Sequence, residues 1–412
     1  MDQVELHSFP VYITLGPVAW ALLVVGLCLG KWRMGKLKRP PVKLPQPVPS
    51  VTVIIPAKDE GERIRLCLES VLKLQYPVFS VIGVNDRSND DTGRVMDEVA
   101  RQDARLQVIH IPQGGLPPGW LGKCHALHTA ARHATGKWLL FVDSDVKLEP
   151  DVLSATLALA EARVYDAVSI LTRLECNTMW ERLILPLAAG AWSIMHTISL
   201  TNSDRRRNIA AANGQFFLVR RAVYEDVGGH ETVKDLITED VELMRAIKAK
   251  EGTAYKTRFF MGRDFASTRM YSEMRSMFNG FGRIFSGTAR RRPWRIIAAM
   301  LFLITGAYSA YAALAWGAYR TLVPSDVEHT WGWLLMGGVH LALMSACLAV
   351  VYRWSGNRAR WALAFPVGGA ALMAVFGFAL VKCFTGRTSW RGTTYGGAPQ
   401  DVATISPQMG HR

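Results

Sequence analysis

Val51-Thr-Val-Ile-Ile-Pro-Ala-Lys-Asp-Glu60 is the stretch whose reading decides the fold of this chain. An apolar, β-branched run is closed by Pro56, and charge follows at once in Lys58-Asp59-Glu60. A short run of this kind reads as a strand buried on both faces. Downstream the pattern alternates. Glu62–Leu74 carries Ile64, Leu66, Leu68, Val71 and Leu72 at spacings that suit a covering helix, and Val78–Val84 reads as a second strand. Thr92–Arg101 reads as a helix, Gln107–Ile111 as a third strand, Cys124–His133 as a helix and Trp138–Val142 as a fourth strand. Apolar strands alternating with helices predict an α/β fold, a doubly wound parallel sheet with helices on both faces.

Ligands of such sheets sit beyond the carboxyl ends of the strands. The first strand runs into Asp59 and Glu60, the second into Asn85-Asp86, and the fourth into Asp143-Ser144-Asp145. One acidic pair after a strand serves as a helix cap or turn in most proteins. Three at three strand ends predict a single acidic crevice.

The sequence on either side of this region is apolar. Val11–Gly30 holds no charge and is long enough to cross a hydrocarbon core. A signal peptide would need a basic start and a small-residue cleavage site; here Asp2 and Glu5 precede the run. Three more runs follow at Ile296–Tyr319, Trp331–Tyr352 and Trp361–Phe384, the last containing Pro366, Gly368 and Gly369. Four full crossings set the basic tail after Arg387 on the same side as the N-terminus, against its charge; a re-entrant last run removes the conflict. Leu183–Leu200, interrupted by Pro186 and His196, is expected to be an interfacial or core helix. The expected organisation is an anchor over 1–39, a proline-rich linker over 40–50, a cytoplasmic catalytic domain over 51–287, a membrane region over 288–386 and a tail over 387–412.

The chain carries 48 Lys and Arg against 34 Asp and Glu, a net charge of +14. The basic residues gather beside the apolar runs, at Lys31, Arg33, Lys36, Lys38 and Arg39 and again at Arg290–Arg292 and Arg295. That distribution suits anionic headgroups on the cytoplasmic side of a cell membrane and excludes nucleic acid as the expected partner. The six cysteines form no C-x-x-C pair and read as small buried hydrophobes.

Seven motifs in order resemble the inverting glycosyltransferases of family 2, over about Val51–Gly287. They are Val-Ile-Ile-Pro-Ala-Lys-Asp-Glu60, Val-Asn-Asp-Arg-Ser-Asn-Asp-Asp-Thr92, Gly-Trp-Leu-Gly-Lys123, Asp-Ser-Asp145, Asn-Gly-Gln-Phe216, Gly-Gly-His230 and Thr-Glu-Asp240. Gly-Trp-Leu-Gly-Lys123, Arg269-Met-Tyr271 and Trp390-Arg-Gly-Thr-Thr-Tyr395 are similar to the branch of ceramide glucosyltransferases, hopanoid-associated transferases and carotenoid-acid transferases. The resemblance implies the A-type glycosyltransferase fold, a nucleotide-sugar donor, a UDP-sugar by preference, and a lipid-like acceptor at the bilayer. It implies Mg²⁺ or Mn²⁺ held by Asp145 with Asp143, which suits a cation that takes one or two carboxylates plus phosphate oxygens.

The same resemblance distributes the other roles. Pro56, Asp59, Glu60, Asp86, Lys123, Asp143 and Arg283 fall on the donor side, and Asn213, Gly214, Gln215 and His230 on the sugar and acceptor side. Asp240 takes the role of general base, with Glu239 the competing candidate. Thr238 is expected to cap the helix that follows, whose dipole would keep both carboxylates ionised. Two departures stand out: Asn85 and Arg87 replace the usual Asp and Gly around Asp86, and Gly280-Phe-Gly-Arg283-Ile284-Phe-Ser-Gly287 lacks the Gln and Trp of processive members. A processive polysaccharide synthase is therefore the alternative to transfer of a single sugar. A silent scaffold has no need of both intact acidic motifs, and a transporter would need an acid within a span.

Overall fold

The computed structural model describes residues 3–39, 44–271, 273–322, 327–386, 388–390 and 393–395. Part of the expected linker, at 40–43, and most of the tail, with Arg387 and Arg391, lie outside the described residues.

Ten strands precede the C-terminal apolar helices. They are β1 (Val51–Ala57), β2 (Phe79–Asp86), β3 (Leu106–Ile111), β4 (Trp138–Phe141), β5 (Val146–Leu148), β6 (Ala167–Leu171), β7 (Arg173–Leu174), β8 (Phe217–Arg220), β9 (Thr257–Met261) and β10 (Ala266–Thr268). Seven form one sheet in the order β3-β2-β1-β4-β8-β6-β9, and β5-β10-β7 form a small second sheet. All seven residues of β1 are buried, because helices cover both faces at the centre of the sheet. Pro56 is tolerated there because β4 pairs with β1 only as far as Ile54, so the missing N–H removes no ladder bond on that side.

The sheet is mixed, which corrects the expectation of a parallel one. β8 runs antiparallel to both β4 and β6, with Phe217 opposite Phe141 and Arg220 opposite Trp138. The cause lies in the order of the chain. Asn213–Phe216 sits at the carboxyl ends of the parallel strands, so the strand after it can only run away from that edge.

The Leu183–Leu200 region forms the helix Met179–Met195, started by a capping box between Thr178 and Glu181 and ended where Thr197 turns left-handed (φ 50°). Among the described residues four helices are long and apolar enough to cross a membrane: His7–Gly30, Pro293–Leu322, Trp331–Trp354 and Ala359–Thr385. The first three are riveted by His340. Its Nδ1 lies 3.2 Å from the Tyr12 hydroxyl and its Nε2 2.9 Å from the Gly306 carbonyl, which Trp20 Nε1 also reaches. π-helical turns at Thr14–Val18 and Ile304–Tyr308 loosen the helical ladder at that level.

The last apolar segment starts beside β7 and ends against the helix Met274–Thr288. Before it, the Leu174 N–H donates to Ser355 O (2.9 Å) and Asn357 Nδ2 donates to Leu174 O (3.2 Å), tying the turn to β7. Pro366 then accepts the Tyr308 hydroxyl midway along Pro293–Leu322 (2.8 Å). At the far end Phe378 meets Phe278 edge-on at 5.5 Å, and Gly282 packs against Phe378 and Lys382. Phe278 and Gly282 belong to the helix Met274–Thr288, which borders the crevice at the carboxyl edge of the sheet.

Candidate active site

The crevice forms where four chain segments meet at the carboxyl edge of the sheet. β4 ends at Phe141, Val142 N–H makes one last bond to Ile54 O (3.0 Å), and Asp143-Ser144-Asp145 projects beyond the strand. The register of β8 lays Asn213-Gly214-Gln215 alongside it. From a third side the helix Glu239–Ala249 presents its first two residues, and from a fourth the helix Gly122–His133 presents Lys123.

Gly214 is the hub. Its N–H donates to Asp240 Oδ2 at 2.6 Å, while Asp240 Oδ1 accepts the Val241 N–H at 2.8 Å. A Cβ at Gly214 would stand 2.9 Å from Lys123 Nζ and 3.3 Å from Asp143 Oδ2, so a larger residue there would displace the Lys123 ammonium. Lys123 Nζ bridges Asp143 Oδ1 and Glu239 Oε1, each at 2.7 Å. Burial opposes the Lys123 charge, but Asp143, Glu239 and Asp240 more than offset it and hold its pKa well above the usual lysine value. Asn213 Nδ2 donates to Gln215 Oε1 (3.0 Å), which also accepts the Thr172 hydroxyl.

Two carboxyls are pushed up to about 7. For Asp145 the main cause is burial, followed by the charges of Asp143 and Glu60. For Asp240 it is burial, then Glu239, with Lys123 and the Val241 N–H working the other way. The expectation that the helix dipole keeps Asp240 firmly ionised is thus overturned: desolvation outweighs it. Thr238 does occupy the N-cap, but its side chain makes no cap bond.

Pro56, Asp59, Glu60, Lys123, Asp143, Asp145, Asn213, Gly214, Gln215, Glu239, Asp240 and Arg283 all line the crevice. Asp59, held left-handed (φ 50°), also accepts the Asn89 N–H at 2.8 Å and so ties the end of β1 to the loop after β2.

Asp86 and His230 do not line it. The Asp86 carboxylate is buried and gripped by Arg87, Nε to Oδ1 at 2.6 Å and Nη2 to Oδ2 at 2.8 Å. Arg87 reaches back because its own backbone is left-handed (φ 55°), and its carbonyl is fixed by Lys58 (2.8 Å) and Gln113 (2.9 Å). His230 is buried behind the site, 2.8 Å from the Tyr224 hydroxyl and edge-on to Phe141, and burial drives its pKa down to about 3. It shares a small void with Lys123, Asp143, Gly214, Glu239 and Asp240 at the back of the site.

Some of the surroundings were not foreseen. Glu181 is fully buried and accepts Arg269 Nε (3.2 Å) and Nη2 (2.9 Å), and Arg63, which lines the crevice, donates to Arg269 O (3.4 Å). The spacing Thr178-x-x-Glu181 was the available signal for the capping half of this arrangement. The second surprise is the extent of the cavity, about 1080 Å³. From the carboxylates it continues past Ser193 and Thr197 to Trp192 and Ile194, to Val351 and Trp354, and to Leu22, Gly26 and Leu27 of the first apolar helix.

Residues 52–228 match the family model described as glycosyl transferase family 2. The 4,4'-diaponeurosporenoate glycosyltransferase of Staphylococcus aureus is 26% identical over 276 residues, spanning 64% of this chain and 68% of that protein. A mannosyltransferase from Pyrobaculum calidifontis, solved with GDP-Man and Mn²⁺, superposes with a TM-score of 0.52 at 20% identity over 91% of this chain and 98% of its own. At that identity the likeness establishes a shared fold. Residues 52–228 thus carry a glycosyl transferase family 2 domain, and the chain is a glycosyltransferase.

Proposed function

We propose that this glycosyltransferase is anchored in the cell membrane and moves a single sugar, with inversion, from a UDP-sugar to the hydroxyl of a lipid. The observation that carries the reading is one continuous cavity, with catalytic carboxylates at one end and apolar side chains of the membrane-length helices at the other. A soluble acceptor has no use for that apolar arm.

Asp240 is the general base. Fixed by Gly214 and Val241, it holds one carboxylate toward the crevice and takes the acceptor proton as the oxygen attacks the anomeric carbon. Glu239 neutralises Lys123 and is less available. Pro56, Asp59 and Glu60 border the donor, while Lys123 and Arg283 face its diphosphate, and Asn213, Gly214 and Gln215 shape the sugar side.

Asp143 and Asp145 fit a divalent cation. Together with Glu60 they concentrate negative charge that raises Asp145, and a cation would relieve it. Mg²⁺ or Mn²⁺ suits such a pair, since either ion takes one or two carboxylates and completes its shell with phosphate oxygens. Such a cation would neutralise the leaving diphosphate. Uridine as the base rests on the family resemblance; Arg87 would have to release Asp86 before that carboxylate could meet it.

The proposed architecture is an anchor over 1–39, a linker over 40–50, a cytoplasmic catalytic domain over 51–287, a membrane region over 288–386 and a tail over 387–412. We place three crossings and one re-entrant element in it. Basic residues flank the catalytic-side ends of the spans at Arg33, Lys36, Arg290–Arg292, Arg353 and Arg358, in keeping with a cytoplasmic face. The segment from Ser355 to Thr385 starts and ends beside the catalytic domain, which supports a tail on that same face.

The test is transfer by the detergent-purified chain from labelled UDP-sugars, with Mn²⁺ or Mg²⁺ and a membrane lipid extract. Label in an organic-phase product of inverted anomeric configuration is expected. Label found only in water-soluble saccharide sinks the lipid reading, and a retained configuration sinks the single displacement.

A further inference from the structure

The crevice reaches the first apolar helix, and what it finds there goes beyond a lipid acceptor in general. Leu22 lines the cavity and is yet 68% exposed; Ile194, across from it in lining the same space, is 49% exposed. A residue that faces both the cavity and the outside stands at an opening. One helical turn beyond Leu22, Gly26 also lines the cavity, and an added Cβ there would meet nothing within 4 Å. Its neighbour toward the catalytic side, Gly30, has no such room: a Cβ there would lie 3.0 Å from Ser199. The helix is therefore sealed against the domain at Gly30 and open one turn earlier.

The depth of the opening follows from helix geometry. Although the first membrane-length helix continues to Met34, its apolar span ends at Gly30, just before Lys31. At 1.5 Å per residue, Gly26 lies about 6 Å and Leu22 about 12 Å inside that end. The opening thus faces the hydrocarbon of the catalytic-side leaflet and not the headgroups. Its lining grades from Leu22, Gly26 and Ile194, through the hydroxyls of Ser193 and Thr197, to Asp240. That gradient matches an amphiphile whose polar end is at the carboxylates and whose chain stays in the bilayer.

We infer that Leu22, Gly26 and Ile194 frame a lateral portal through which the apolar chain of the acceptor enters from the catalytic-side leaflet. The occupant is a long-chain, hydroxyl-bearing lipid, taken sideways without leaving the membrane. The inference rests on the lipid-acceptor reading and adds the route and the leaflet.

The experiment uses the full chain in phosphatidylethanolamine–phosphatidylglycerol vesicles carrying a C16 alcohol with a photoreactive diazirine near the chain end. Crosslinks in the wild type are expected in peptides spanning Ala19–Met34 and Met179–Met195. Gly26→Phe, which fills open space, lowers those crosslinks at least tenfold and lowers the ratio of transfer to lipid over donor hydrolysis by a similar factor. Gly338→Phe places the same ring in open space on another membrane-length helix away from the cavity, and it leaves both readouts at wild-type values. Crosslinks mapping to other helices, or an unchanged ratio in Gly26→Phe with donor hydrolysis retained, overturn the portal. A wild type that hydrolyses donor but glycosylates no lipid from a membrane extract overturns the parent reading instead.

Discussion

Asp240→Asn separates the chemistry from the scaffold. The substitution is isosteric, so the loss can be worked from the bonds the carboxylate makes. Asn keeps one oxygen, which can still accept the Gly214 N–H now held at 2.6 Å, but its amide then faces the Val241 N–H instead of accepting it. That lost bond costs about 1 kcal/mol. Against it, the folded protein no longer holds a carboxyl that burial and Glu239 have pushed up to about 7. The sign is clear: a raised carboxyl pKa means that ionisation above pH 7 opposes the fold, so neutral Asn relieves that cost at pH 8. The two terms offset, and the melting temperature in detergent should change little. Transfer, by contrast, loses its base, a drop of about 10² to 10⁴-fold in kcat. In the wild type, kcat should rise with pH through about 7 as Asp240 ionises. The residual activity of the variant should lack that limb. Glu239→Gln, which removes only a partner of Lys123, should cost less. Transfer by Asp240→Asn within tenfold of the wild type would refute the assignment, and so would collapse in Glu239→Gln with Asp240→Asn intact.

Chelation should abolish transfer and Mn²⁺ should restore it, while Asp145→Asn should raise the Mn²⁺ needed for half-maximal transfer at least tenfold, read by metal titration. Arg87→Gly relaxes a left-handed backbone, a gain of about 1 kcal/mol, but leaves the buried Asp86 carboxylate unpaired, a loss of about 3–5 kcal/mol. A lower melting temperature, recovered in the Asp86→Asn/Arg87→Gly double variant, is the expected result. Gly386→Cys should react with a membrane-impermeant maleimide only from the catalytic side; labelling from the opposite face alone would replace the re-entrant element with a full crossing.

How far the site was legible depended on whether a residue's role was set locally or by the return of distant chain. Asp143, Asp145 and the Asp59–Glu60 pair were visible because a strand end is a local event, signalled where an apolar run stops. The antiparallel β8 was not, since three apolar residues and an arginine do not carry a direction; only the position of Asn213–Phe216 at the sheet edge fixes it. His230 looked like a site residue because glycines precede it, yet Tyr224 and Phe141, six and almost ninety positions away, bury it. Arg87 gave a real signal as a departure from glycine, but the sequence could not say that its guanidinium would turn back on the neighbouring carboxylate. The first apolar helix shows the limit most plainly. Val11–Gly30 announced itself as a span by composition alone, and that same uniform apolarity hid its second task. A glycine among leucines reads as tolerated in a membrane helix; only the space beside Gly26 and the closure at Gly30 show that this helix also walls the cavity. In the proposed reading the anchor and the acceptor site are one element, and truncating the first apolar helix would remove Leu22, Gly26 and Leu27 from the cavity wall.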